Sequence, residues 1–186
     1  MKHPMIVLIG PSAVGKSSFL DRALRESELN LYDVVTYTSR AMRPGEKDGV
    51  HYHFVSQEKF EQLKEGDFFV EWALVHGNYY GTPKDQIREA WGRGQTVIMD
   101  IDVQGAQSVK RLYPQAISVF LMPPSVDELR QRLIKRGPAG DLELRLENAQ
   151  REMALADHFD HVIINDEFEA AYKEFRKIVE KASQNQ

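Results

Sequence analysis

The sequence predicts an α/β protein: a three-layer α/β/α core built on a parallel sheet, with an inserted mixed α+β unit and a helical lid. Three observations predict it. Apolar runs too short for helices recur at 6–9, 96–100, 117–121 and 161–164, each followed by a helical pattern. Such alternation implies a parallel sheet covered on both faces, with ligands at the carboxyl ends of its strands. One stretch, 34–82, breaks the alternation by being strand-rich, and a Gly-Pro-containing loop at 136–145 interrupts two helices.

The first apolar run leads into Gly10-Pro11-Ser12-Ala13-Val14-Gly15-Lys16-Ser17-Ser18. This fits the phosphate-loop pattern G-x-x-x-x-G-K-[ST]. Glycine permits backbone dihedrals that a Cβ forbids and lets amides approach a ligand closely. Successive N–H groups then form an anion nest at a helix N-terminus, where the dipole also favours negative charge. Lys16 is placed to reach the β and γ phosphates of a nucleotide, and the Ser17 hydroxyl to bind Mg²⁺. Phe19, Leu20, Ala23 and Leu24 recur at helical spacing over 18–28, which supplies the strand–loop–helix context that the motif requires.

Within 34–82, residues 51–55 and the apolar-rich 67–75 read as strands, with a short helix near 56–64. Thr82 before Pro83 reads as a helix N-cap with proline at the first helical position. The run 96–100 ends in Asp100, an acid at a strand's carboxyl end and a candidate Mg²⁺ holder through water. After 117–121, Ser125 and Glu128 form a capping box, Leu129, Leu133 and Ile134 supply an apolar face, and Gly137 closes the helix.

Composition narrows the function classes. The chain has 186 residues, 42% hydrophobic and 28% charged, as expected of one good globular core. A net charge of −4 argues against a sequence-independent nucleic-acid binder. The absence of cysteine excludes disulfides, thiolate metal sites and thiol nucleophiles. No signal-peptide h-region precedes the first strand and no apolar run approaches membrane length, so a cytoplasmic protein without membrane partners is expected. His51, His53, His158 and His161 have no carboxylate spacing suited to a metal.

An ordered set of segments then narrows the reading further. Thr36-Tyr-Thr-Ser-Arg40-Ala-Met-Arg43-Pro-Gly-Glu-x-x-Gly49-x-x-Tyr52-x-Phe is followed by Phe69-Val-Glu71-Trp-Ala and by Gly77-Asn-Tyr-Tyr80-Gly-Thr82. Asp100-Ile-Asp102-x-Gln104-Gly105, Pro123-Pro124-Ser125 and Asn165-Asp166 complete it. Together they resemble the guanylate kinase family over nearly the whole chain. The resemblance implies a phosphate-loop nucleotide-binding fold with a core (1–34, 83–135 and 146–186), a GMP-binding subdomain at about 35–82 and a lid at about 136–145. It implies Mg²⁺-dependent transfer of a phosphoryl group from ATP to GMP, and to dGMP.

The resemblance also assigns roles. Glu71 becomes the guanine reader, because a carboxylate accepts from adjacent N1–H and N2–H₂ donors, and adenine has no N1–H to offer. Asp102, Thr36 and Thr82 would contact the base. Arg40 and Arg43 would bind the acceptor phosphate as guanidinium forks, with hydroxyls from Tyr52 and Tyr80. Arg43, Arg136 and Arg145 would stabilise the transferring phosphoryl group alongside Lys16. Arg132, Asn165 and Asp166 join residues 10–18 on the ATP side, and Ser17 and Asp100 would serve the metal. Departures are small: Thr36 and Ser39 exchange the usual hydroxyl types, Ala13 replaces a usual glycine, and the 136–145 loop is about two residues short of common members.

Two rival readings use the same fold. A binding module that captures a phosphorylated peptide would usually lose the loop lysine, and a kinase for a phosphorylated ribose would lack Glu71. Both residues are present. The sequence leaves monomer and homodimer equally open.

Overall fold

The computed structural model describes residues 4–75, 77–137 and 141–184. Five strands form the core sheet: β1 (Met5–Ile9), β2 (Leu31–Asp33), β7 (Thr96–Asp100), β8 (Ile117–Met122) and β9 (His161–Ile164). Their order is β2-β7-β1-β8-β9, and every neighbouring pair is parallel. The four apolar runs thus became strands. The sheet's edge strand β2, which carries Tyr32 and Asp33, has no such run and was not anticipated.

The unbroken hydrophobicity of β1 follows from burial on both faces. Met5, Val7 and Ile9 pack on one side with Ile87 and Ala90 of α3 (Lys84–Gly92) and Val103, Ala106 and Val109 of α4 (Val103–Leu112). Ile6 and Leu8 point the other way, onto Phe19 and Ala23 of α1 (Lys16–Leu24) and Phe175 and Val179 of α7 (Phe168–Gln184). Each such fully buried large side chain contributes about 1.5–3 kcal/mol. The helix expected at 18–28 is shorter: α1 stops at Leu24, which is exposed, and a 3₁₀ turn spans Ser27–Leu29. Among the described residues, no helix is long and apolar enough to cross a membrane.

A second sheet, β4-β3-β6-β5, holds β3 (Tyr37–Thr38), β4 (His53–Phe54), β5 (Phe69–Val75) and β6 (Asn78–Pro83), with α2 (Gln57–Glu65) beside it. Its β3–β4 pairing is parallel and its β3–β6 and β5–β6 pairings are antiparallel, the mixed unit anticipated for this stretch. The third part is a pair of helices, α5 (Val126–Lys135) and α6 (Leu142–Met153). Leu129, Leu133, Leu146 and Ala149 join them in a small cluster separate from the main core. Ser125 Oγ accepts from Glu128 N at 3.1 Å, the Ser125 half of the expected capping box, while the Glu128 carboxylate accepts from Arg132 Nε at 2.9 Å; Gly137 (φ +90°) donates to Ile134 O and closes the helix as expected. Ile134, expected on the apolar face, is exposed instead. Residues 138–140 of the expected lid lie outside the described residues.

Gly10 has no room for a side chain. Its φ is +145°, and a Cβ there would clash with the backbone oxygen of Leu121 on β8. Gly10→Ala combines a dihedral that L residues avoid with displacement of a core strand, and it should cost about 2–4 kcal/mol. Urea unfolding measures this directly; a loss below about 1 kcal/mol contradicts it.

Candidate active site

A cleft of about 950 Å³ opens where the carboxyl ends of β1 and β7 meet the mixed sheet and the α5–α6 pair. One end is the loop that follows β1. Gly10 and Gly15 adopt positive φ, and Gly15 is the N-cap of α1, without a side-chain cap. The first-turn amides are therefore not taken by a capping side chain, the arrangement in which a helix start binds anions. Lys16 Nζ donates to the Gly10 carbonyl at 2.6 Å and lies 3.8 Å from Asp100 Oδ1. Burial holds the Asp100 carboxyl above the usual range, with the Lys16 ammonium pulling it down.

Asn165, arriving just after β9, braces this loop. Its Nδ2 donates to Val14 O at 2.8 Å, and a Cβ on Gly15 would stand 2.6 Å from that nitrogen. Arg132 on α5 donates through Nη2 to Asn165 O and through Nε to Glu128. Asn165 and Val14 are buried and do not line the cleft, and Asp166 is exposed outside it.

The other end is built on β5 and β6. A register shift at Phe69–Glu71 sets Glu71 directly across from Thr82. Such bulges re-aim side chains beside binding sites. The Thr82 hydroxyl donates to Glu71 Oε1 in a short hydrogen bond. This corrects the capping assignment for Thr82: the N-cap of α3 is Pro83, and Thr82 belongs to β6. Glu71 is only 6% exposed. Burial, with Asp102 adding like charge, pushes its carboxyl up to about 7, against the hydrogen bond from Thr82. Asp102 caps α4, its Oδ1 accepting from Gln104 N at 2.7 Å and Gly105 N at 2.9 Å.

Thr36, Tyr52 and Tyr80 line the same cleft. Burial, with Asp100 nearby, pushes the Tyr52 hydroxyl to about 12, so it stays protonated and able to donate. Arg40 is not on the cleft wall. Its Nη1 and Nη2 donate to the two carboxylate oxygens of Glu46 at 3.0 and 2.7 Å, and its guanidinium lies over the Tyr52 ring. Glu46 also accepts from Arg43 N at 2.7 Å.

Three arginines, one from the mixed-sheet segment and two from the α5–α6 pair, share the cleft. Arg43, Arg136 and Arg145 all line the cleft, and Arg145 Nη2 donates to Ser12 Oγ at 3.1 Å. Burial, then repulsion from Arg136 and Arg43, holds the Arg145 guanidinium below its usual value. Converging like charges of this kind are stabilised by an anion placed among them.

Sequence reasoning missed Lys135, Asp141, Asn148 and Glu152, which also line the cleft. Burial raises the Glu152 carboxyl, opposed by Lys16. Two of them carried a signal: Asn148 and Glu152 recur with Arg145 at helical spacing on one face of α6. Among the described residues, no three His, Asp or Glu side chains are grouped closely enough to hold a metal by themselves.

The guanylate kinase family model matches residues 2–182. The guanylate kinase of Bdellovibrio bacteriovorus is 50% identical over 184 residues, covering 97% of this chain and 98% of that one. That of Carboxydothermus hydrogenoformans is 41% identical over 180 residues, covering 96% and 88%. The crystal structure of guanylate kinase from Anaplasma phagocytophilum superposes with a TM-score of 0.79 at 31% identity, over 98% of this chain and 88% of that one. With the phosphate loop, the mixed sheet and the arginine-lined cleft between them in one fold, the chain belongs to the guanylate kinase family.

Proposed function

We propose that this chain transfers the γ-phosphoryl group of ATP to GMP, and to dGMP, releasing ADP and GDP or dGDP. An oxygen of the acceptor's phosphate attacks the γ phosphorus, and the bond to the β–γ bridging oxygen breaks as ADP leaves. One observation carries this reading: a single cleft is lined by the phosphate loop at one end and by Glu71, Tyr52 and Tyr80 at the other, with Arg43, Arg136 and Arg145 between. Donor and acceptor phosphates then meet where the positive charge is concentrated. Phosphoryl transfer needs such in-line positioning and charge compensation more than covalent help.

In this reading Lys16 and the loop amides hold the donor phosphates, and Glu71 reads guanine with Thr36, Thr82 and Asp102. Arg43, Tyr52 and Tyr80 hold the acceptor phosphate from the cleft wall, and Arg40, which Glu46 holds off that wall, joins them on closure; Arg132 lines the ATP side, with Asn165 behind the loop and Asp166 outside the cleft. Mg²⁺ fits the oxygen donors beside Lys16. Ser17 and Asp100 are hard ligands, too few for a cage, and Mg²⁺ is commonly held by one or two protein oxygens plus substrate phosphates. When bound, it would neutralise charge on the β and γ phosphates. A cytoplasmic location belongs to the same proposal.

A coupled ADP-release assay across GMP, dGMP, AMP, CMP and UMP tests the reading. Turnover with the two guanine nucleotides and near-background rates with the others are expected; no turnover with GMP by folded protein and Mg-ATP overturns it. The division into core, 35–82 subdomain and 136–145 lid is part of the same proposal, with closure on both substrates to expel water. Energy transfer between dyes on the subdomain and the core should rise when GMP and an ATP analogue are added, and an unchanged signal argues against closure.

A further inference from the structure

Gly105, in the first turn of α4, faces Glu71 across the gap between α4 and β5. A Cβ at position 105 would stand 2.9 Å from Glu71 Oε2 and 3.3 Å from its Cδ, and 3.4 Å from Ile101 Cδ1. Real Cβ atoms essentially never approach an oxygen so closely, so the carboxylate lies where it does only because residue 105 lacks a side chain. The other oxygen, Oε1, is held by the Thr82 hydroxyl. Between them these contacts fix the carboxylate: a donor on one oxygen, a bare backbone against the other.

We propose that Gly105 is a specificity-determining positioning residue, which sets the location of the Glu71 carboxylate for reading guanine. The inference rests on the reading that Glu71 accepts from the guanine N–H donors. Its physical basis is an asymmetry between stability and function. The atoms in the way of a 105 side chain are the tip of a flexible side chain, not backbone, so the fold yields at little cost. Gly105 has no positive φ to forbid a substitution, and alanine favours a helix over glycine. The displaced tip, however, is the one that must meet two donors at hydrogen-bond distance, and such bonds weaken steeply with misalignment.

Gly105→Ala is therefore expected to keep or raise the melting temperature while raising KM for GMP about tenfold, the loss expected from misaligning a charge-assisted hydrogen bond. KM for ATP and kcat should stay within about twofold, since the donor end is untouched. Gly92→Ala in α3, where a Cβ meets nothing within 4 Å, controls for a generic glycine effect and should leave all three constants unchanged. The decisive comparison is Glu71→Ala with and without Gly105→Ala. Without the carboxylate there is nothing to displace, so the second substitution should add no further increase in KM for GMP. An unchanged GMP KM in Gly105→Ala, alongside a raised one in Glu71→Ala, overturns this inference alone. An unchanged GMP KM in Glu71→Ala overturns the guanine-reading role of Glu71, and this inference with it. A markedly lower melting temperature for Gly105→Ala, or additive effects in the double variant, assigns Gly105 a general packing role instead and also overturns the proposal.

Discussion

Lys16→Ala is expected to lower kcat by about 10³-fold or more while GMP binding survives. The expectation follows from where the ammonium stands. Lys16 lies at the foot of the loop, 2.6 Å from the Gly10 carbonyl and 3.8 Å from Asp100. Both neighbours are acceptors that hold it at the start of α1, where the donor's phosphates would lie. The charge it brings to the transferring group cannot be replaced by water in a closed cleft, where electrostatic interactions are stronger than in solution. The acceptor end is built by other segments, on β5 and β6, so GMP affinity should change little. Calorimetric titration with GMP and single-turnover kinetics separate the two effects. A variant that keeps a tenth of the wild-type turnover, or that loses GMP binding, contradicts the assignment.

Glu71→Gln should raise KM for GMP by about ten- to 150-fold with a smaller effect on kcat, because a charge-assisted pair worth roughly 1.5–3 kcal/mol is lost. An amide also presents an N–H₂ donor to guanine's own donors. The substitution carries a pH signature as well. Burial raises the Glu71 carboxyl from 4.5 to about 7 in the free protein. Below pH 7 it is mostly protonated and one of its oxygens is a donor. KM for GMP should therefore fall as pH rises through about 7 and level off above it. The acceptor phosphate also titrates near pH ~6, which the Gln variant isolates because it keeps that titration and loses the other. Parallel pH profiles for the two proteins would falsify the role given to Glu71.

The same shift has a consequence for the ligand-free protein. A carboxyl whose folded-state value is raised contributes stability that is present below 4.5 and is lost as pH rises through about 7. Asp33, raised from 3.8 to about 7 by burial and by Asp100, acts in the same direction. Deprotonated Glu71, with the Thr82 hydroxyl on one oxygen alone, is thus an unfavourable buried charge until the ligand's donors join it. The acceptor end is less stable for being prepared to bind, a trade found where sites hold polar groups ready for a ligand.

What could be read along the chain was whatever a few neighbouring residues decide together. The phosphate loop is one strand, one turn and one helix start, and its glycines, lysine and serine act within that span. The strands of the core are apolar runs because both faces of a parallel sheet are covered, a pattern fixed by each strand's own side chains. β2 escaped notice because it is an edge strand, and Leu31, Tyr32 and Asp33 do not make an apolar run. α1 stops at Leu24 instead of continuing to 28, and Ser27–Leu29 forms a 3₁₀ turn, because no apolar face continues past Leu24 to hold a further helical turn.

Only the tertiary structure decided the contacts between residues far apart in sequence, and most of the candidate site is made of them. The bulge in β5 turns Glu71 onto Thr82, which removes threonine from the cap it was expected to form. Asn165 reaches across 151 positions to brace the loop at Val14, and Glu46 engages the Arg40 guanidinium that was expected to bind the acceptor phosphate. Burial, which raises the Glu71 carboxyl and the Tyr52 hydroxyl, is a property of the packed molecule and cannot be read from residue type. Residue identity determined which chemical groups this protein has; their distances, and so the charges they carry and the atoms they meet, were settled by folding.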